Sequence, residues 1–354
     1  MSNKRDPYID SLKAIAIVLV VWGHAIQYRH GVNYDYWHDP LFIVIYSFHM
    51  PLFALISGYV MSIGRKKENS GIFVKKKFLH LIIPAVSWGG VIAGFNILLR
   101  ITRSNQSYLA IPVDIIKGAI ANPYWFLSAT FIALSLIAIV QRIHVRAIKW
   151  LLYTVIFIIC LITPDVLSSQ EIAFTLPFFV IGFYLGKWIF REQHAITCAA
   201  LVAVYTVLLL FWDKNKYVYT SGVNILNAES PACQLLTDIY RFLIGLVGSV
   251  TFAALFRKIY VMMHLNNFER FLNIGMETES IYLLSTPVFI FSHKLFAFLQ
   301  KFVHVETSDV FASLVVDIGL LLVTFIFIKL ILLVIPIARK WKWVDRILLG
   351  KWKI

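Results

Sequence analysis

Runs of apolar residues long enough to cross a bilayer recur along almost the whole of this 354-residue chain and leave little room for anything else. Crossing the hydrocarbon takes about 20 residues of helix. Ten segments qualify, at 9–28, 41–63, 79–101, 123–141, 148–164, 171–190, 195–212, 238–257, 274–298 and 310–337; the fifth is short, and the ninth has Glu277 and Glu279 near its start. Only 15% of residues are charged, against 59% hydrophobic, a balance outside the soluble range. The stretches between the runs are mostly too short to build a soluble core. The expectation is an all-α polytopic membrane protein of about ten transmembrane helices, one domain over residues 1–354 with no appended soluble domain. "MSNKR" precedes the first run with no small-residue cleavage site after it, which reads as an uncleaved first span.

The net charge of +14 does not point to nucleic acid, because the basic residues fall in short clusters between apolar runs. Loops left in the cytoplasm retain positive charge. With the N-terminus inside, 22 of the 33 lysines and arginines fall on cytoplasmic segments and nine on the outer side, so both termini are expected inside. Cys160, Cys198 and Cys233 are scattered and have neither metal-ligand nor disulfide spacing, so no metal site is expected. There is no internal repeat and no matched pair of broken helices, which counts against a transporter.

Charges inside a membrane segment cost at least about 2.5 kcal/mol each and tend to face an interior cavity. The first run, "YIDSLKAIAIVLVVWGHA", carries Asp10, Lys13 and His24. Eleven residues separate Lys13 from His24, which is three helical turns plus about 20° and about 16 Å of rise, so the two share a face. Asp10 lies one turn from Lys13 and can pair with it. The plain alternatives are that Lys13 snorkels to the surface and His24 bonds a neighbouring helix. As a functional stripe, Lys13 faces the cytoplasm and His24 the outer half, where an imidazole can take a proton from a hydroxyl and return it to a leaving group.

The second run contains "YSFHMPLFALISGYV". Pro51 removes a backbone donor one turn after Ser47, and His49 lies at a depth similar to His24. Two imidazoles at one depth suit a base and an orienting or oxyanion-stabilising partner, although a histidine beside a kink is also a common structural residue. Ser57 and Gly58 read as a helix-packing notch rather than a nucleophile, with Ser57 as acceptor contact or support. The basic run from Arg65 to Lys77, including Lys75, Lys76 and Lys77, can hold donor phosphates or serve as a topogenic anchor to anionic lipid. Trp125 opens the fourth run, either in the interfacial aromatic belt or beside an acceptor. Arg241, at the outer end of the eighth run, either anchors that end or holds an acceptor. Two His-x4-Asp spacings, His30 with Asp35 and His304 with Asp309, are expected by chance among ten histidines.

Taken in order, "IDSLKAIAIVLVVWGH", "FHMPLFALISGY", "YWFL", "LPFFVIGFYLGK" and "ESIYLLSTP" resemble the integral membrane acyltransferase-3 family, and within it the branch of the fucose 4-O-acetylases. The resemblance implies O-acyl transfer, usually of acetyl from cytoplasmic acetyl-CoA, to a sugar hydroxyl of a surface glycan or its lipid-linked precursor. The family's basic residue, ten residues and histidine map onto Lys13 and His24, with lysine where arginine is usual. A basic pair before the third span maps onto Lys77 and His80, and Ser285 stands where many members have a histidine.

The reading is a bacterial inner-membrane acetyltransferase with His24 and His49 catalytic. Lys13, Asp10, Lys75, Lys76, Lys77 and His80 bind the donor, and Ser57, Trp125 and Arg241 serve the acceptor. Its partners are acetyl-CoA, a glycan and the lipid bilayer, with no permanently bound cofactor and no nucleic acid. The alternatives are a glycan-lipid transporter or flippase, and a succinyl or longer acyl donor.

Overall fold

The computed structural model describes residues 6–30, 35–64, 69–101, 124–164, 166, 168–265, 269–300 and 310–352. Twelve helices carry the architecture: α1 (Pro7–Arg29), α2 (Pro40–Gly64), α3 (Ser70–Lys77), α4 (Ile83–Ile101), α5 (Trp125–Val140), α6 (Arg146–Leu161), α7 (Ser169–Ile189), α8 (Ala195–Leu210), α9 (Pro231–Met262), α10 (Glu269–Met276), α11 (Thr278–Gln300) and α12 (Val310–Ala338). Each of the ten apolar runs falls on one of these. Six helical stretches are long and apolar enough to cross a membrane among the described residues, and α5 and α8 are shorter apolar helices. The protein is a multi-pass membrane protein.

Local chemistry explains where three long helices begin. Asp6, Asp39 and Ser230 each stand before a proline at the first helical position. The side chains accept from the N–H of Tyr8, Phe42 and Cys233 respectively, satisfying donors that no helical carbonyl can reach. Once started, α2 runs through Pro51 without a break.

Helices α1 and α2 form the centre. Within its most apolar window α1 is 78% buried by the rest of the protein, whereas α12 is 22% buried and presents Leu322, Ile326 and Leu333 outward. In water such an apolar exterior would aggregate; in lipid it is the solvated surface. Burial of apolar area cannot hold helices together in hydrocarbon, so close backbone approach does. A Cβ added at Gly58 of α2 would lie 2.1 Å from the Phe179 carbonyl oxygen of α7, and one at Gly182 of α7 would lie 2.1 Å from that of Leu55. Gly58 is therefore the packing half of the Ser57–Gly58 pair.

Between α3 and α4 the helix widens into one π turn, Phe78–Ile82, which carries His80. Beyond α12 the chain folds back in a second π turn, Val344–Leu348, and buries Leu349 completely.

Candidate active site

The Lys13 end of the expected α1 stripe lines a space, and His24 is not among that space's walls. A cavity of about 160 Å³ is bounded by Lys13, Ile17 and Val20 of α1, by Met50, Phe53 and Ser57 of α2, and by Phe126, Glu279 and Tyr282 among others. Positions 13, 17 and 20 follow helical spacing, and His24 is the next residue on that face. Asp10 accepts from the Lys13 ammonium at 2.9 Å, which fixes the cation at the cavity's end.

A second, smaller cleft lies on the other side of Met50. Its walls include Tyr46, His49, Trp125, Trp212, Tyr217 and Tyr219. Met50 and the neighbouring α2 turn lie between the two spaces, and a thioether on three rotatable bonds makes an adaptable partition. Its volume is about 20 Å³, room for a water and not for a sugar ring unless its walls move.

The two imidazoles flank Tyr46. Its ring centroid is 4.6 Å from that of His49 and 6.4 Å from that of His24. Nδ1 of His49 is 2.8 Å from the Ile45 carbonyl oxygen. A carbonyl only accepts, so Nδ1 carries the proton and the neutral ring presents a bare Nε2. Nδ1 of His24 lies 3.3 Å from both Gln27 Oε1 and the Tyr46 hydroxyl, and the hydroxyl donates to the same Gln27 oxygen at 3.1 Å. Gln27 Oε1 only accepts, so its contact with His24 is a hydrogen bond in the tautomer that carries the proton on Nδ1 and leaves Nε2 bare. His49 is 4% exposed while His24 is half-buried, so His24 is the more accessible of the two. A neutral ring with a bare Nε2 accepts and does not donate, so of the two roles considered for His49 the geometry favours orienting a hydroxyl over stabilising an oxyanion.

Other expected site residues fall in different places. Ser57 lines the Lys13 cavity, away from the aromatic cleft. Trp125 lines the cleft and meets Tyr219 edge-on. Arg241 also borders the cleft, but its guanidinium is fully engaged: it donates to the Lys216 and Gly222 carbonyls at 2.7 and 2.6 Å, to Ser221 Oγ at 2.6 Å and to Asp238 at 2.9 Å. It is not a free cation awaiting an acidic acceptor. It pins residues 215–222, including Tyr217 and Tyr219, over the cleft. Lys75, Lys76 and Lys77 end α3, and the His80 carbonyl packs against Gly350. Ser285 is buried and donates to the Tyr282 carbonyl. Arg65, Lys66 and Lys67, and the His304–Asp309 pair, lie outside the described residues.

Two features escaped sequence reasoning. Glu279 borders the Lys13 cavity, although its charge had served only to weaken the ninth run. Arg29, counted as a loop cation, is the hub of a buried ionic cluster one turn beyond His24. It pairs with Asp39 at 2.9 Å and with Asp317 at 2.8 Å, and donates to Ser313 at 2.8 Å. His30 pairs with Asp39 at 3.1 Å. Burial would raise the Asp39 carboxyl, but hydrogen bonds from His30, Asp317 and the Phe42 N–H hold it below the usual carboxylate range.

The acyltransferase domain model of the acyltransferase-3 family matches residues 6–343, so the chain belongs to that family and is an acyltransferase. The transport alternative is set aside.

Among curated proteins it is similar to nodulation protein NolL of Sinorhizobium fredii (strain NBRC 101917 / NGR234), 29% identical over 249 residues, covering 66% of this chain and 65% of that protein. It is also similar to nodulation protein NolL of Mesorhizobium japonicum (strain LMG 29417 / CECT 9101 / MAFF 303099), 26% identical over 302 residues, covering 81% of this chain and 78% of that protein. No solved structure matches.

Proposed function

We propose that the protein is a bacterial inner-membrane O-acetyltransferase that moves acetyl from cytoplasmic acetyl-CoA to a sugar hydroxyl of a surface glycan or its lipid-linked precursor. The observation that carries the reading is the pair of spaces meeting at Met50, one holding Lys13 and the other His49, with His24 on the Lys13 stripe. The charge distribution along the sequence supports placing the Lys13 end in the cytoplasm.

In this reading Lys13, fixed by Asp10, marks the donor side, and Lys75, Lys76, Lys77 and His80 surround its approach. The acyl thioester reaches toward His24, about 16 Å along α1 from Lys13, a span suited to an extended pantetheine arm. Opening of the aromatic cleft admits the sugar against Trp125, and His49 Nε2 accepts a hydrogen bond from one of its hydroxyls to set its orientation. His24 Nε2 removes the proton of the reacting hydroxyl as its oxygen attacks the thioester carbonyl carbon. The C–S bond then breaks, and the proton passes from His24 to the departing thiolate. Each bond made or broken is accounted for without a covalent enzyme intermediate.

The test is thiol release from acetyl-CoA by the purified protein in proteoliposomes supplied with candidate glycans. General acid–base catalysis contributes about a hundredfold or more, so His24→Ala is expected to lower the rate by at least that factor while the protein remains inserted. Intact acetylation by that variant would refute the assignment. Faster thiol release from succinyl-CoA than from acetyl-CoA would move the donor to a longer acyl group.

A further inference from the structure

The segment that follows α12 is seated against the Lys13 end of the bundle by contacts of several kinds. Trp88 Nε1 donates to the Leu348 carbonyl at 3.0 Å, and Arg339 grips Glu277 through two hydrogen bonds of 2.9 and 2.6 Å. Leu349 is fully buried. Gly350 has φ +67°, and a Cβ there would lie 2.3 Å from the His80 carbonyl oxygen, so only glycine fits that approach. Lys351 then extends to Glu279, its ammonium 3.7 Å from the carboxylate.

Glu279 is a wall of the Lys13 cavity, so Lys351 reaches one wall of that cavity without lining it. Lys77 lies within electrostatic reach of the same carboxylate. Lys13, held by Asp10, lines the cavity with Glu279, while Lys351 and Lys77 act on the same Glu279 carboxylate without being walls of the cavity. The Lys351–Glu279 separation is too long for a hydrogen bond, and the lysine remains about a third exposed, so its three donors are available to a stronger acceptor. A phosphate carries more charge and more acceptor oxygens than the carboxylate it would displace.

We propose that the segment Val344–Lys351 forms one wall of a phosphate-binding site beside the Glu279 wall of the Lys13 cavity, in which Lys351 exchanges Glu279 for a phosphate of a nucleotide-bearing thioester donor. This rests on the donor reading given above and adds a part of the chain to which that reading assigns nothing. The seating through Gly350 and Leu349 makes this a fixed wall, and the lysine side chain is its moving part.

Equilibrium binding of coenzyme A to the full-length protein in detergent tests the proposal without requiring the acceptor, with pantetheine, which lacks the nucleotide, as the second probe. Lys351→Ala is expected to weaken coenzyme A about tenfold, the scale of one charge-assisted hydrogen bond, and to leave pantetheine binding unchanged; Lys351→Arg is expected to bind as the parent does. Glu279→Gln removes the competing carboxylate and is expected to tighten coenzyme A, a change opposite in sign to that of Lys351→Ala. General loosening of the fold would weaken both ligands in both variants. Equal coenzyme A affinity in the parent and Lys351→Ala, equal loss of both probes, or weaker binding by Glu279→Gln would overturn the proposal and leave the donor reading standing. Failure of the parent protein to bind coenzyme A at all would remove the donor reading, and the proposal with it.

Discussion

At the scale of single residues, the position of one proton separates the two histidines from ordinary buried imidazoles. The His49 Nδ1–H is committed to the Ile45 carbonyl, so whatever His49 does for a substrate it does through Nε2. Asparagine places an amide N–H near Nδ1 and nothing at Nε2. His49→Asn is therefore expected to keep the bond to Ile45 and raise the acceptor KM about tenfold, the effect of one lost hydrogen bond in a dry site, with coenzyme A binding unchanged. Steady-state kinetics against acceptor concentration, paired with a donor titration, checks this; a matching loss of donor affinity would mean a structural role. Arg241 teaches the converse. A buried arginine beside a cleft looks like a ligand-binding cation until its donors are traced, and here they go to the carbonyls and hydroxyl of the segment that closes the cleft.

At the scale of elements, α2 supplies the wall between the two spaces, and its position depends on its approach to α7. Gly58 and Gly182 each meet a backbone carbonyl of the other helix, which no side chain can move aside. Gly182→Ala is expected to force the helices apart at a cost of about 1–3 kcal/mol, the usual range for overpacking, and to lower the thermal midpoint in detergent. Gly319→Ala on α12 is the control. Nothing lies within 4 Å of its added methyl, and alanine is the better helix former, so stability should hold or rise. Equal midpoints for the two variants would contradict the role given to close backbone approach.

At the scale of the whole molecule, the Arg29 cluster ties the end of α1 to the start of α2 and to α12, and Trp22 adds a bond to the Asp317 carbonyl at 2.7 Å. The cluster lies one turn beyond His24, so its integrity bears on the site without contacting it. Because the folded Asp39 carboxyl is held below its unfolded value, its contribution to stability is full above about pH 4, the ordinary carboxylate range, and is lost as pH falls through the lower folded value. The thermal midpoint of the parent is expected to drop below about pH 4. Asp39→Asn should begin lower at neutral pH, since removing one partner of a buried pair costs about 3–5 kcal/mol, and should show a shallower acid decline. Parallel pH profiles for the two proteins would exclude Asp39 as the titrating group.

Helix lengths, caps and the Lys13–His24 stripe are local properties. Apolar run length, a proline after an aspartate or serine, and 100° per residue are written into neighbouring positions, so the sequence by itself determined that this is a helical membrane protein with a polar stripe on its first helix. The family motifs added the class of chemistry. Which polar groups meet across helices has no such local signature. His30 finds Asp39, Arg241 turns to a loop of its own chain, and Glu279 faces Lys13 and Lys351 although 266 residues separate the first pair and 72 the second. Those partners depend on where glycines let backbones touch and on how the segment after α12 folds back, so only the tertiary structure decided that Lys13 and His49 border two spaces with Met50 between them. The helical period specifies a face; the packing of other helices specifies what that face sees.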